Sequence, residues 1–118
     1  MTQADLFDGE ASKVERRPQD ISEAEVQEKC VDYLRDRGAY ARKFSSPANR
    51  SVPDYIFTWR AWTWYVEFKR RGKAPTDAQA LEHAKIREAG GVVWVIDNVA
   101  EFRRRIRLMS TTGDLYVE

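Results

Sequence analysis

The sequence has a single cysteine and a single histidine among its 118 residues. The lone Cys30 excludes an internal disulfide and a cysteine-based zinc site, and the lone His83 leaves no histidine pair for a metal. No apolar run approaches the roughly 20 residues of a membrane span, and the N-terminus lacks the apolar core of a signal peptide. These absences predict a cytoplasmic protein. We expect Cys30 to lie in the core and His83 to be a surface or packing residue.

The charges are divided unevenly along a chain that is long enough for one domain. Residues 1–28 carry eight acidic and three basic side chains, a net of −5, and residues 29–118 carry eleven acidic and seventeen basic ones, a net of +6. A basic domain is expected of a protein that binds a polyanion, although solvation alone also explains such a surface. Residues 1–20 have few large apolar side chains and no periodicity, which predicts a flexible tail before a folded domain at 21–118.

Apolar periodicity and turn residues predict an α/β domain with the element order α-β-β-β-α-β-α. The first helix is expected to begin at Ser22, which forms a capping box with Glu25, and to stop at Gly38. A strand, helix and strand in succession imply a crossover and a mixed sheet. We predict strands at 40–44, 55–59, 62–68 and 92–96, further helices at 76–89 and 99–108, and a short strand at 115–117.

Two carboxylates and an ammonium are placed to form one compact site. Because strand side chains alternate, Glu67 and Lys69 share one face, while Val66 and Phe68 share the core-facing side. Asp54 begins the neighbouring antiparallel strand and is expected to lie within reach of Glu67. Paired carboxylate oxygens with water and a phosphate are what Mg²⁺ prefers. The alternative is a common solvent-facing Glu/Lys pair on a strand.

The surroundings of this pattern favour a site that binds phosphate. Pro53-Asp54 precedes the pair, and a basic run follows it directly, at the mouth of the predicted site. Basic residues also flank the loop before Asp54, where ordinary surface charge is the competing interpretation. The residues predicted to bind DNA are Lys43, Arg50, Arg70, Arg71 and Lys73.

Pro53-Asp54 with Glu67-x-Lys69 resembles the PD-(D/E)xK, or restriction-endonuclease-like, nuclease superfamily. The wider sequence resembles its VRR-NUC branch from about residue 21 to about residue 103, although Ser51 stands where that family usually has glycine. The strings that carry this resemblance are Ser51-Val52-Pro53-Asp54, Tyr65-Val66-Glu67-Phe68-Lys69, Pro75-Thr76-Asp77-Ala78-Gln79 and Gly90-Gly91-Val92-Val93.

The resemblance implies a nuclease that uses Mg²⁺ or Mn²⁺ and acts on branched or flapped DNA. Asp54 and Glu67 would hold the metal, with the backbone carbonyl of Phe68 as a further ligand, and Lys69 would position the attacking water. The family also implies a glutamate on the first helix, for which we choose Glu23. Gln27, one turn further along the same helix, is an alternative that also flanks the site.

The family further implies a glutamine on the helix that follows the Glu-x-Lys strand. Gln79 fits this position, but it also completes a capping box with Thr76, and capping alone would explain its presence. A role in both is compatible with the spacing. A helix N-terminus beside the metal site would also favour bound phosphate.

Small standalone members of the branch, many from phages, resemble homodimeric resolvers of four-way (Holliday) junctions, and we expect the same activity here. A flap or nicked-duplex nuclease of the same fold, a non-catalytic DNA-binding module and a protein-interaction adaptor are the alternatives. Residues 3–7, Gln-Ala-Asp-Leu-Phe, resemble the peptide that bacterial sliding clamps bind. An unremarkable tail is the competing interpretation of those five residues.

Overall fold

The computed structural model of the protein describes residues 21–115. The predicted tail and its clamp-like peptide lie outside the described residues, as do residues 116 and 117 of the predicted last strand. Three helices and four strands follow one another in the predicted order. They are α1 (Glu23–Arg35), β1 (Tyr40–Lys43), β2 (Tyr55–Trp59), β3 (Trp62–Phe68), α2 (Asp77–Glu88), β4 (Val93–Ile96) and α3 (Val99–Thr112).

Both predicted capping boxes are present. Ser22 accepts from the backbone N–H of Glu25, whose carboxylate accepts from the N–H of Ser22 at 3.2 Å. Thr76 and Gln79 form the same reciprocal pair at the start of α2. These bonds satisfy backbone donors that a helix N-terminus otherwise leaves without partners.

The last helix is four residues longer than predicted, because its apolar stripe continues past Leu108. Met109 is buried one turn after Arg105 and extends the face that packs on the core. The helix ends where Gly113 adopts φ 78°, a left-handed conformation that glycine accepts without strain. Leu115, the start of the predicted final strand, lies in no strand and packs partly buried against the core.

The four strands form one mixed sheet in the order β1-β2-β3-β4. The first two pairings are antiparallel, and β4 pairs parallel with β3. The parallel pair requires the crossover through α2, as predicted. The tight turn between β2 and β3 has positive φ at both Arg60 (53°) and Ala61 (72°). The sequence therefore forms a two-residue hairpin without the glycine or asparagine that such turns favour.

Helices lie on both faces of the sheet. Helices α1 and α3 pack together against the face that carries Val66 and Phe68, while α2 contacts Glu67 on the opposite face. Large aromatic side chains stack through the core, where Trp64 and Trp94 lie 5.0 Å apart by ring centroid. The buried core comprises Val26, Cys30, Val31, Leu34, Ala41, Phe57, Trp59, Trp64, Val66, Phe68, Trp94, Ile96, Phe102, Ile106 and Met109. Among the described residues no helix is long and apolar enough to cross a membrane.

Candidate active site

Asp54 and Glu67 meet where β2 begins and β3 ends. The antiparallel register pairs Tyr55 with Val66, so one further step sets Asp54 opposite Glu67. The carboxylate of Asp54 accepts a hydrogen bond from the backbone N–H of Phe68, through Oδ2 at 2.8 Å. This bond fixes Asp54 against the last residue of β3.

Glu67 and Lys69 share the face of β3 that strand alternation predicts, but neither side chain is open to solvent. Glu67 is 1% exposed and Lys69 is 9% exposed. Lys69 Nζ lies 3.5 Å from Glu67 Oε2. Two buried opposite charges in contact are unlike the solvated surface pair that was the alternative interpretation, because charged groups are rarely buried without a partner.

Gln79 joins these two side chains and caps α2 with the same amide group. Its Oε1 accepts from Lys69 Nζ at 2.8 Å and from the backbone N–H of Thr76 at 2.9 Å. Its Nε2 donates to Glu67 Oε2 at 3.2 Å. Gln79 therefore caps α2 and contacts Lys69 and Glu67 at the same time, and its role in catalysis stays a prediction.

His83 is a member of this cluster that sequence reasoning missed. His83 is 1% exposed, as expected of a packing residue. Its Nε2 also lies 3.6 Å from Glu67 Oε1. His83 follows Gln79 by four residues on α2, which puts both side chains on one face of the helix. The four-residue spacing could have indicated that His83 lies near the site, but only if the contact of Gln79 with Glu67 were already known.

The electrostatics of Asp54 indicate an acidic cluster. Burial raises the pKa of Asp54 above its ordinary 3.8, the hydrogen bond from Phe68 lowers it, and the charges of Glu67 and Glu23 raise it again. Glu23, an exposed residue in the first turn of α1, therefore lies within electrostatic range of Asp54, and its role in the site stays a prediction. Glu25 serves the cap, and the half-buried Gln27 lies one turn beyond Glu23.

The donor set fits a divalent metal of the Mg²⁺ type. Glu67 and Asp54 present two carboxylates opposite each other, and their described hydrogen bonds use only part of the roughly four acceptor sites that a carboxylate has. Within residues 21–115 no group of three or more His, Cys, Asp or Glu side chains is placed to hold a metal ion, so side-chain ligands would be limited to these two carboxylates. Mg²⁺ suits such a ligand set, since it usually keeps several waters and takes one or two carboxylates together with substrate phosphates.

The predicted DNA-binding residues are all exposed: Lys43 ends β1, Arg50 lies in the loop that follows it, and Arg70, Arg71 and Lys73 lie in the loop after β3. Lys43 lies close enough to Asp54 to lower its pKa, and Arg50 lines a cleft of about 350 Å³ together with Asp54. The loop of Arg70, Arg71 and Lys73 directly follows Lys69. It is anchored where the N–H of Gly72 donates to Asp97 Oδ2 at 3.0 Å.

Buried acidic and basic groups at the end of a central strand, beside exposed cationic loops, are the arrangement expected of a protein that cleaves phosphodiester bonds. No family model matches the sequence. Over 79 residues the chain is 35% identical to "Putative nuclease p44" of Acyrthosiphon pisum secondary endosymbiont phage 1, covering 66% of this chain and 85% of that protein. A solved structure described as a VRR_NUC domain matches with a TM-score of 0.67 at 26% identity, covering 72% of this chain and 94% of that one.

The chain belongs to the VRR-NUC family of nucleases. The fold expectation is confirmed, both in the order of its elements and in its mixed sheet.

Proposed function

We propose that the protein is a Mg²⁺-dependent endonuclease that cuts branched DNA, and that it resolves four-way (Holliday) junctions as a homodimer. The observation that carries the catalytic part is the contact set around Glu67. Its carboxylate is opposite Asp54 and touches both Lys69 and Gln79. Mn²⁺ is expected to replace Mg²⁺, because it also accepts carboxylate and water ligands.

Asp54 and Glu67 would hold the metal, with the carbonyl of Phe68 as the third protein ligand. A bound divalent ion supplies charge that stabilises the phosphate as it is attacked and makes a water more acidic. The N–H of Phe68 donates to Asp54, so the backbone of this one residue would position one ligand and supply another. Glu23 supports the site from the first turn of α1.

Lys69 would orient the attacking water or stabilise the negative charge that builds on the phosphate. Its ammonium is held by Gln79 Oε1 and Glu67 Oε2, so it is preorganised rather than mobile. One of its three donors is used by Gln79, which leaves donors for a water or a phosphate oxygen. Preorganised charge in a water-poor site has a larger effect on the barrier than the same charge in bulk water.

The exposed loops would bind the DNA backbone around the cut. Arg70, Arg71 and Lys73 lie on the chain directly after Lys69, Arg50 lines a cleft together with Asp54, and Lys43 is close enough to Asp54 to lower its pKa. Positive side chains at these places would hold phosphates near the scissile bond. Such contacts carry no base information, in keeping with recognition of DNA shape rather than sequence.

The proposed dimer follows from the proposed junction substrate. Resolution of a four-way junction needs two symmetric cuts, and a two-fold dimer presents two identical sites. A flap or nicked-duplex nuclease would need only one site. A non-catalytic DNA-binding module would not need Asp54, Glu67 and Lys69 together.

Cleavage of a panel of DNA substrates tests this proposal. A four-way junction, a flap, a splayed arm and a linear duplex of matched sequence are incubated with the protein in Mg²⁺, in Mn²⁺ and in EDTA. We expect paired symmetric nicks in the junction, with either metal and not with EDTA. Cutting of flaps but not junctions would overturn the resolvase part, and a monomer in sedimentation would overturn the dimer.

A further inference from the structure

One buried contact of Glu67 is left unused by the proposed mechanism. His83 on α2 places Nε2 3.6 Å from Glu67 Oε1, and both residues are 1% exposed. Neither of these two atoms has a hydrogen-bond partner among the described residues. Buried polar atoms without partners are rare because they lose their water without replacement, so a facing pair calls for an explanation.

At 3.6 Å, His83 Nε2 and Glu67 Oε1 are close enough for a small shift to bring them into a direct hydrogen bond. A water about 2.7–3.0 Å from each atom would have to lie to one side of the 3.6 Å gap, with an angle between its two hydrogen bonds well below the one that water prefers, so direct contact is the simpler arrangement. A shift of a few tenths of an ångström gives a hydrogen bond of about 2.7–3.2 Å from an imidazole N–H to a carboxylate. The donor must be the histidine, because an ionised carboxylate only accepts.

The contact would complete the support of the carboxylate. Glu67 Oε2 is contacted by Gln79 Nε2 at 3.2 Å and by Lys69 Nζ at 3.5 Å. His83, which lies on α2 with Gln79, faces the other oxygen, Oε1. Outer partners of this kind orient metal-binding carboxylates, and their removal weakens metal binding or activity by about 10–100-fold.

We propose that His83 is a positioning residue, which donates its Nε2–H to Glu67 and fixes this carboxylate for a divalent metal. This inference rests on the proposed metal site. His83 does not itself touch the DNA or the reacting phosphate; it acts through Glu67. A purely structural histidine would fill space on α2 and affect folding without affecting the metal.

Mn²⁺ binding, followed by the electron paramagnetic resonance of the free ion, separates these roles. His83→Leu keeps most of the volume but removes the donor, and we expect Mn²⁺ affinity to fall by about 10-fold or more. His83→Gln keeps a donor and is expected to remain within about threefold of the wild type. Thr76→Ala, which weakens α2 without touching Glu67, controls for lost stability and is expected to bind Mn²⁺ normally.

The outcomes distinguish this inference from the proposed function. If the wild type binds Mn²⁺, Asp54→Asn does not, and folded His83→Leu binds as the wild type does, the role of His83 is overturned and the metal site stands. If the wild type itself binds no Mn²⁺, the metal proposal fails, and the role of His83 fails with it.

Nitrogen NMR of the wild-type protein provides a second test, because it shows which ring nitrogen of His83 carries a proton. The chain has one histidine, so its ring signals in protein prepared without a histidine tag belong to His83. We expect a proton on Nε2. A ring that carries its proton on Nδ1 alone would contradict the proposed donation.

Discussion

Gln79 Oε1 accepts a hydrogen bond from Lys69 Nζ at 2.8 Å. The same oxygen accepts from the backbone N–H of Thr76 and so closes the cap of α2. One amide therefore ties the start of a helix to the ammonium at the end of a strand. A change in the cap and a change in the site can be separated only by comparing variants at two positions.

Gln79→Ala is expected to lower both stability and cleavage, whereas Thr76→Ala should lower stability alone. Loss of either half of the capping box costs about 1 kcal/mol of unfolding free energy. Gln79→Ala also removes the contacts to Lys69 and Glu67, and we expect cleavage to fall by about 10–100-fold. Denaturant unfolding and junction cleavage measure the two effects. Equal loss of cleavage by two folded variants would contradict the dual role of Gln79.

Asp54→Asn should raise the stability of the metal-free protein while it abolishes cleavage. The pKa of Asp54 is raised in the folded state, first by burial and then by Glu67 and Glu23, so its ionisation disfavours folding. The free energy of unfolding of Asp54→Asn should therefore exceed that of the wild type as the pH rises above about 3.8, and the difference should persist once Asp54 is ionised.

Thermal unfolding in EDTA from pH 3 to 8 measures this difference. Asp77→Asn is the control: Asp77 is exposed in the first turn of α2, and its loss should lower stability slightly through the helix dipole. Added Mg²⁺ should then raise the melting temperature of the wild type and not that of Asp54→Asn. A lower melting temperature of Asp54→Asn in EDTA at neutral pH would argue against the acidic cluster.

Glu101→Gln should reduce stability at neutral pH but not in strong acid. Hydrogen bonds from Arg104 and Arg105 lower the pKa of Glu101 from 4.5 to about 2. A depressed pKa contributes stability above the unfolded value, and this contribution is lost as the pH falls from 4.5 towards 2. Unfolding at a series of pH values should show the two proteins converging over that window. A difference that does not vary with pH would mean that the ion pairs do not cause it.

Arg71→Ala should weaken DNA binding and make it less dependent on salt. Arg71 is exposed on the loop that Asp97 anchors beside the site. Loss of one phosphate contact is expected to reduce the slope of log affinity against log salt by about 1. Junction binding is measured in a Glu67→Gln background, so that the DNA is not cut. Lys85→Ala, at a side chain 64% exposed on the last turn of α2, should leave the slope unchanged.

The strand pattern predicted correctly which side chains share a face, because alternation is a local property of the chain. Val66 and Phe68 lie in the core, and Glu67 and Lys69 share the other face. The register that sets Asp54 opposite Glu67 follows from a two-residue hairpin, which the sequence makes hard to predict. Arg60 and Ala61 adopt positive φ although neither is a residue that favours it.

The burial of the site and the role of His83 could not be predicted, because both depend on how α2 packs on the sheet. Sequence spacing shows that Gln79 and His83 share a helix face, but not that this face covers Glu67.

The end of α3, in contrast, could have been predicted from the sequence. Gly113 carried a recognisable stop signal, and the apolar Met109 supported a helix that reaches it.

The most direct measurement of the central claim is cleavage of a four-way junction in Mg²⁺ by Lys69→Ala and Glu67→Ala, each shown to be folded and to bind the junction. The account predicts that cleavage falls by at least about 10²–10³-fold in each, because each variant removes preorganised charge from the reacting phosphate or its metal. Lys85→Ala should cut as the wild type does. Metal-dependent cleavage that persists undiminished in both site variants would contradict the account.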